Sequence, residues 1–196
     1  MTDYYQKNYR LYHEKTFAVD PSAFLEPLAE RLIAGATVLD VGCGSGRDLL
    51  WMKNKGFYVI GLDRASGLVK IARQNTGCEV IEGDFATYDF SVISADAIML
   101  IGALVHVPHD RFSDIFKNII QSLTDFGKIL ITLKEGIGAR TDEVGRIFYL
   151  WQDQKARVLF DSHGYRVCDF SRSSSKTGSG EIWLGYVLGK KAPPAH

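Results

Sequence analysis

A strand-like run, Thr37–Cys43, passes directly into three alternating glycines, Gly42, Gly44 and Gly46, and then into a helix-like segment, Gly46–Lys55. Glycine accepts positive φ and carries no Cβ, so a loop of this kind brings backbone N–H groups close to a ligand. The carboxyl end of a first strand is also where open α/β sheets bind their ligands. Asp63 closes the second run, Tyr58–Asp63. It lies about 20 residues beyond the glycines, the spacing at which a carboxylate takes ribose hydroxyls, one on each oxygen. The same residue suits the start of the helix-like segment Ala65–Asn75. Asp84 ends a third run, Glu79–Asp84, where it would accept the exocyclic amine of adenine with Phe85 packed near the ring; alone, it is equally an ordinary turn residue.

The elements that must position these groups follow from the alternation of the chain. Further strand-like runs are Ala95–Gly102, Lys128–Leu133, Tyr165–Ser171 and Glu181–Leu188, and further helix-like segments are Pro108–Leu123 and Glu143–Ser162. Short apolar runs alternating with helices predict an α/β fold, a doubly wound, mostly parallel sheet buried on both faces. Only a Ser/Gly-rich stretch, 171–180, joins the last two runs, so they are expected to close the sheet as an antiparallel hairpin. Two helices, Thr2–Lys15 and Pro21–Ala34, are expected before the first strand, with Pro27 kinking the second or marking its start. Gly56 and Gly164 suit left-handed helix ends.

Composition narrows the classes. The 196 residues hold 23 Lys+Arg against 23 Asp+Glu, and 46% are hydrophobic. One domain is expected, with residues 1–36 as a helical lid, 37–190 as the core and 191–196 as a tail. A neutral balance gives no support to nucleic acid or an anionic membrane as partner. The three cysteines form no CxxC pair, so neither zinc nor a disulfide framework is indicated. The polar, aromatic opening has no signal-like apolar core, and the longest apolar stretch, Ala97–Val107, falls short of the ~20 residues of a membrane span. A cytoplasmic protein, monomeric or homodimeric, is expected.

The order of these motifs resembles the class I S-adenosylmethionine-dependent methyltransferases. VLDVGCGSGRD is similar to their first motif, VIGLDRA to their second-strand acid, EGDF to their adenine-contacting turn, and DAIMLIGALVH to their fourth-strand motif. The resemblance spans nearly the whole chain and implies their seven-stranded Rossmann-like order. More narrowly, the chain is similar to small single-domain bacterial enzymes of the tellurite-resistance and quinone-methylase type. By that resemblance S-adenosyl-L-methionine, leaving as S-adenosyl-L-homocysteine, would be held by Asp40, Gly42, Cys43, Gly44, Gly46, Asp63, Arg64, Asp84, Phe85 and Ile101. The Tyr-rich opening implies a lid from Tyr5, Tyr9 or Tyr12; the alternative is that these rings simply dock a terminal helix.

A methyl transfer needs a positioned acceptor, and a base only where the acceptor loses a proton. His106, beyond the fourth run, is the candidate base, with an ordinary pKa of about 6.5; otherwise it caps the next helix. His109 and Asp110 lie near it, but Pro108 breaks any shared helical face, so no metal site is expected. Lys134 leaves the fifth run at the same edge, and Arg146 opens the aromatic segment that includes Phe148, Tyr149 and Trp151. An arginine there suits a carboxylate or phosphate. Lys134, Arg146, Tyr149 and Trp183 are therefore expected to line a pocket for a small-molecule substrate, against the alternative of ordinary packing and solvated charge. Two further readings remain: a protein that binds the cofactor without transferring its methyl, and a nicotinamide-dependent oxidoreductase. Arg47 stands where the dinucleotide fingerprint G-x-G-x-x-G has its last glycine, which counts against the second.

Overall fold

Side chains of a strand alternate between the two faces of its sheet, and the apolar runs of this chain sort accordingly. The computed structural model describes residues 4–175 and 180–192. In order, its elements are α1 (Tyr4–Lys7), α2 (Tyr9–Thr16), α3 (Ser22–Ala29), β1 (Thr37–Val41), α4 (Arg47–Asn54), β2 (Tyr58–Asp63), α5 (Ser66–Thr76), β3 (Glu79–Glu82), β4 (Ala95–Ile101), α6 (His109–Ile119), β5 (Leu123–Lys134), β6 (Ala139–Thr141), β7 (Ile147–Tyr149), α7 (Asp153–Ser162), β8 (Tyr165–Ser174) and β9 (Ile182–Lys190). Val38, Ala97, Met99, Leu130 and Val187 pack on one face with Leu25, Leu28 and Met52 of α3 and α4. Leu39, Val41, Ile98, Leu100, Ile129 and Ile131 pack on the other with Phe112, Phe116 and Phe160 of α6 and α7. Phe112, Ile115, Phe116 and Ile119 recur at the three- and four-residue spacing that makes one apolar helix stripe.

The seven strands lie in the order β3-β2-β1-β4-β5-β9-β8. The first five run parallel, and β9 pairs antiparallel with both β5 and β8. This is the doubly wound sheet and closing hairpin expected from the sequence. The chain's winding reverses between β1 and β4, so a crevice opens at their carboxyl ends. No helix among the described residues is long and apolar enough to cross a membrane.

Three expectations are corrected. The helix expected over Glu143–Ser162 begins only at Asp153. Before it, Ala139–Thr141 and Ile147–Tyr149 pair as a two-stranded ribbon. The turn is held by Asp142, whose carboxylate accepts from the N–H groups of Val144 and Arg146, with Gly145 at φ +81°. The aromatic residues there alternate as a strand does, Phe148 buried and Ile147 exposed. The opening helix is two segments meeting at Asn8 rather than one. Pro27 lies inside α3, which starts at Ser22 and ends at Ala29, not Ala34; Asp20 fixes that start by accepting from the Ser22 N–H. Part of the Ser/Gly-rich stretch and the end of the expected tail, 176–179 and 193–196, lie outside the described residues.

Candidate functional site

The crevice is built first from backbone. Gly42 and Gly44 take φ of +78° and +56°. A Cβ on Gly42 would lie 2.8 Å from Ala103 Cβ, and one on Gly44 would lie 3.2 Å from the Tyr12 ring. The loop is tied to β2, because the N–H groups of Gly42 and Cys43 both donate to Leu62 O, at 2.7 and 3.1 Å. Asp63 completes it: Oδ2 accepts from Gly44 N at 2.9 Å and Oδ1 from Ala65 N at 2.8 Å. One carboxylate thus holds both the glycine loop and the start of α5, and it also accepts from the Arg64 N–H. Burial raises the Asp63 pKa, while the Ala65 and Gly44 N–H groups pull it down.

These groups open into a cavity. Gly42, Gly44, Gly102 and Ala103 form its floor, Asp63 and Arg64 one side, Leu68, Phe85 and Ile101 apolar walls, and Tyr5, Tyr12 and His106 its roof. Tyr9 is elsewhere: its ring presses on Gly67, where a Cβ would come within 2.5 Å. The Tyr-rich opening therefore divides between the two uses considered for it, with Tyr9 docking α2 on α5 and Tyr5 and Tyr12 covering the cavity.

Four residues of the expected cofactor set do not line this cavity. Asp40 is fully buried beneath the loop with its Oδ2 lacking a partner; burial, then the Asp48 charge, push its pKa well up. Cys43 is buried against Gly61, and burial raises its thiol pKa. Gly46 brings α4 onto α5, since a Cβ there would lie 2.8 Å from Thr76 Cγ2 and 3.2 Å from Ala72. Asp84 sits at the rim, where Oδ1 accepts from Ala86 N at 2.9 Å and Oδ2 meets Arg64 at 3.4 Å.

A second cavity shares Tyr5, Tyr12, Ile101 and Gly102 with the first. Lys134, Arg146 and Trp183 line it, but Tyr149 does not. Strand alternation turns Phe148 inward and leaves Tyr149 in a separate outer groove with His106, Pro108 and Arg111. Sequence reading missed Phe24, Arg47, Val105, Thr132, Arg140, Phe148 and Glu181 as lining residues; recognising a strand over 147–149 would have exchanged Tyr149 for Phe148. The cations of this cavity are matched internally. Lys134 Nζ donates to Glu181 Oε1 at 2.6 Å and stands 3.4 Å from the Phe148 ring centre. Arg140 shares Glu181, Arg146 bonds Asp142 at 2.7 Å, and Arg47 bonds Asp48. Burial lowers the Lys134 pKa, with Glu181 opposing.

His106 stands at the junction of the first cavity and the outer groove. Its Nδ1 lies 2.6 Å from Ile147 O and its Nε2 lies 2.8 Å from the Tyr5 hydroxyl. A carbonyl only accepts, so Nδ1 carries the proton and Nε2 accepts from Tyr5. Burial lowers the His106 pKa, and Arg146 and Lys134 add to the effect.

Residues 38–127 match the family of methyltransferase domains. A structure of 1,6-didemethyltoxoflavin-N1-methyltransferase from Burkholderia thailandensis, with S-adenosylhomocysteine and 1,6-didemethyltoxoflavin bound, superposes with a TM-score of 0.78 at 18% identity, covering 96% of this chain and 84% of that one. This chain shares that enzyme's fold, and its residues 38–127 match a methyltransferase domain. An uncharacterized methyltransferase of Staphylococcus carnosus is 34% identical over 113 residues, 58% of this chain and 53% of the relative. A tRNA (carboxymethyluridine(34)-5-O)-methyltransferase of Xenopus tropicalis is 35% identical over 98 residues, half of this chain and 15% of the relative. The methyltransferase domain here thus spans little more than half of the first curated relative and a small part of the other. The likeness runs through β1 to β4, which carry the glycine loop, Asp63 and His106, and leaves β6 to β9 outside the matched family span.

Proposed function

We propose that this chain transfers the methyl group of S-adenosylmethionine to a small-molecule acceptor held in the second cavity. The observation that carries the reading is that the two cavities meet at Ile101 and Gly102 beneath Tyr5 and Tyr12. The residues of the first cavity fit the cofactor. The glycine floor leaves space that a Cβ would fill, the Asp63 carboxylate bordering it suits vicinal ribose hydroxyls, and Phe85 and Leu68 offer apolar faces to adenine. Rings of Tyr5 and Tyr12 offer π faces to a cation, an attraction of about 0.5–2 kcal/mol each. Arg64, tethered by Asp84, borders the adenosyl side. The cofactor, when bound, supplies an electrophilic methyl on a cationic sulfur.

The chain's own residues do the rest. Asp63 and the loop N–H groups orient the adenosyl side; Phe24, Phe148 and Trp183 surround the acceptor and exclude water; Lys134 and Arg146 set a positive potential beside it. A protein that only bound the cofactor would have no use for this second cavity. RNA as acceptor is disfavoured because Lys134, Arg140, Arg146 and Arg47 are each occupied by an acid of the same fold, leaving those four cations no free phosphate-binding track.

Calorimetric titration with S-adenosylhomocysteine tests the reading. Wild type is expected to bind, and Asp63→Ala to bind at least about 100-fold more weakly, since two hydrogen bonds to a carboxylate are worth about 1.5–3 kcal/mol each. Equal affinity of the two proteins, or no binding by either, overturns it.

A further inference from the structure

Four features of the Tyr5–His106 pair go unused if the roof merely covers a ligand. Tyr5 borders both cavities, and its side chain also hydrogen-bonds Arg146 of the second cavity's lining. That hydroxyl donates to His106 Nε2 at 2.8 Å. The 2.6 Å bond to Ile147 O locks the imidazole with Nδ1 protonated, which leaves Nε2 as the open base. On its far side His106 borders the outer groove of Pro108, Arg111 and Tyr149, a path from the ring to solvent. A hydroxyl on a side chain that borders both cavities, backed by a base with its own exit, is the arrangement of a proton relay.

From these contacts we infer that Tyr5 and His106 together take the proton of the acceptor, and that the acceptor is a planar phenol. The inference rests on the reading of the second cavity as the acceptor site. As the acceptor oxygen takes the methyl group, its O–H proton passes to Tyr5 Oη and the proton of Tyr5 passes to His106 Nε2. The electron pair of the broken methyl–sulfur bond stays on sulfur, which becomes a neutral thioether. Tyr5 ends neutral, His106 ends as an imidazolium held by Ile147 O, and its extra proton leaves through the outer groove.

The acceptor class follows from what such a relay serves. A thioether, a carboxylate or a neutral amine attacks through a lone pair it already has, whereas a hydroxyl must lose its proton. The charged groups facing the pair are Arg146, Lys134, Asp142 and Asp63. The two cations favour a forming phenolate. They and the burial of the ring also hold His106 neutral before the reaction, while burial keeps Tyr5 protonated. A weak base of this kind suits a phenol, whose ordinary pKa is about 10, far better than an aliphatic alcohol. Phe24, Phe148 and Trp183 give the cavity ring-shaped walls, and the edge of Trp183 packs 3.5 Å from where a Cβ on Gly102 would be. Stacked or edge contacts of that kind favour a flat ring.

The test uses the full chain saturated with S-adenosylhomocysteine and 4-nitrophenol as probe, because its phenolate absorbs visibly and its phenol does not. Buffer is set below the probe's own midpoint so that it is mostly neutral in solution. Bound to wild type, its ionised-to-neutral ratio is expected to rise about tenfold, with nitrogen-15 shifts of His106 moving to the imidazolium pattern. In Tyr5→Phe and in His106→Gln the ratio is expected to fall well below that of wild type, leaving only the smaller rise due to Lys134 and Arg146. Cofactor affinity is measured in each protein by calorimetry. A probe that binds but stays neutral, or ionises equally in both variants, overturns the relay, and failure of the probe to bind overturns the acceptor class. Loss of S-adenosylhomocysteine binding by wild type overturns the proposed function with it, whereas intact cofactor binding with a neutral probe overturns the relay alone.

Discussion

The two cavities are made of different material. The first is walled largely by backbone and by residues that end parallel strands: Gly42 and Gly44 after β1, Asp63 at the end of β2, Gly102 and Ala103 after β4. The second is walled by side chains from α2, α3, β5, the β6–β7 ribbon and β9, with its charges set against one another. Backbone positions set by a sheet tolerate little change, whereas paired side chains on a ribbon can be exchanged with the strands left in place. The contrast puts one cavity where the sheet fixes its walls and the other where side chains can be exchanged.

The sharpest way to break the contrast is at Gly42. In Gly42→Val the new side chain meets Ala103 and must adopt positive φ. We expect S-adenosylhomocysteine binding to vanish in calorimetry and stability to fall by roughly 2–5 kcal/mol, from overpacking together with backbone strain. Retained binding would mean the loop is not a close-approach surface. Next in size is Glu181→Leu, which leaves buried Lys134 without its carboxylate. Unpaired buried charge costs about 3–5 kcal/mol, so a fall of about 6–20 °C in melting temperature is expected, with cofactor affinity kept within about threefold. A large loss of cofactor affinity would show that the cavities are not separable.

The pH dependence is a finer probe. Burial depresses the His106 pKa in the folded chain, so the unfolded chain binds more protons near and below about pH 6.5 and stability rises with pH there. Wild type is expected to lose melting temperature from pH 7 to pH 5 more steeply than His106→Gln. Parallel curves would remove the burial effect from His106. The smallest effect belongs to Arg140→Ala. That side chain is half exposed, and exposed ion pairs contribute less than about 1 kcal/mol, so a change of no more than about 3 °C is expected.

Legibility in sequence followed the same division. The apolar run Val59–Leu62 made Tyr58–Asp63 readable to its ends, although only Gly61 and Leu62 of it are buried, and the glycine loop announced the crevice. Motif membership did not separate residues that face a ligand from those that support the ones that do. Gly42 and Gly46 look alike in sequence, yet one floors the cavity and the other packs α4 on Ala72 and Thr76. The ribbon at 139–149 was misread because three-residue strands carry no period long enough to distinguish from a helix, and the error put Tyr149 where Phe148 belongs. The Tyr5–His106 contact spans 101 residues, and no local spacing announces it.

The placement of β9 has a consequence for how the protein is made. It follows every other strand in sequence but stands between β5 and β8 in the sheet. Until residues 182–190 have left the ribosome, β5 has an open edge, and Ile129, Ile131 and Leu133 stand beside a gap in the sheet. The emerging chain can assemble the parallel half early, but the wall that bears Trp183 is the last piece delivered, so a stalled or truncated product carries a raw strand edge of the kind that recruits other chains.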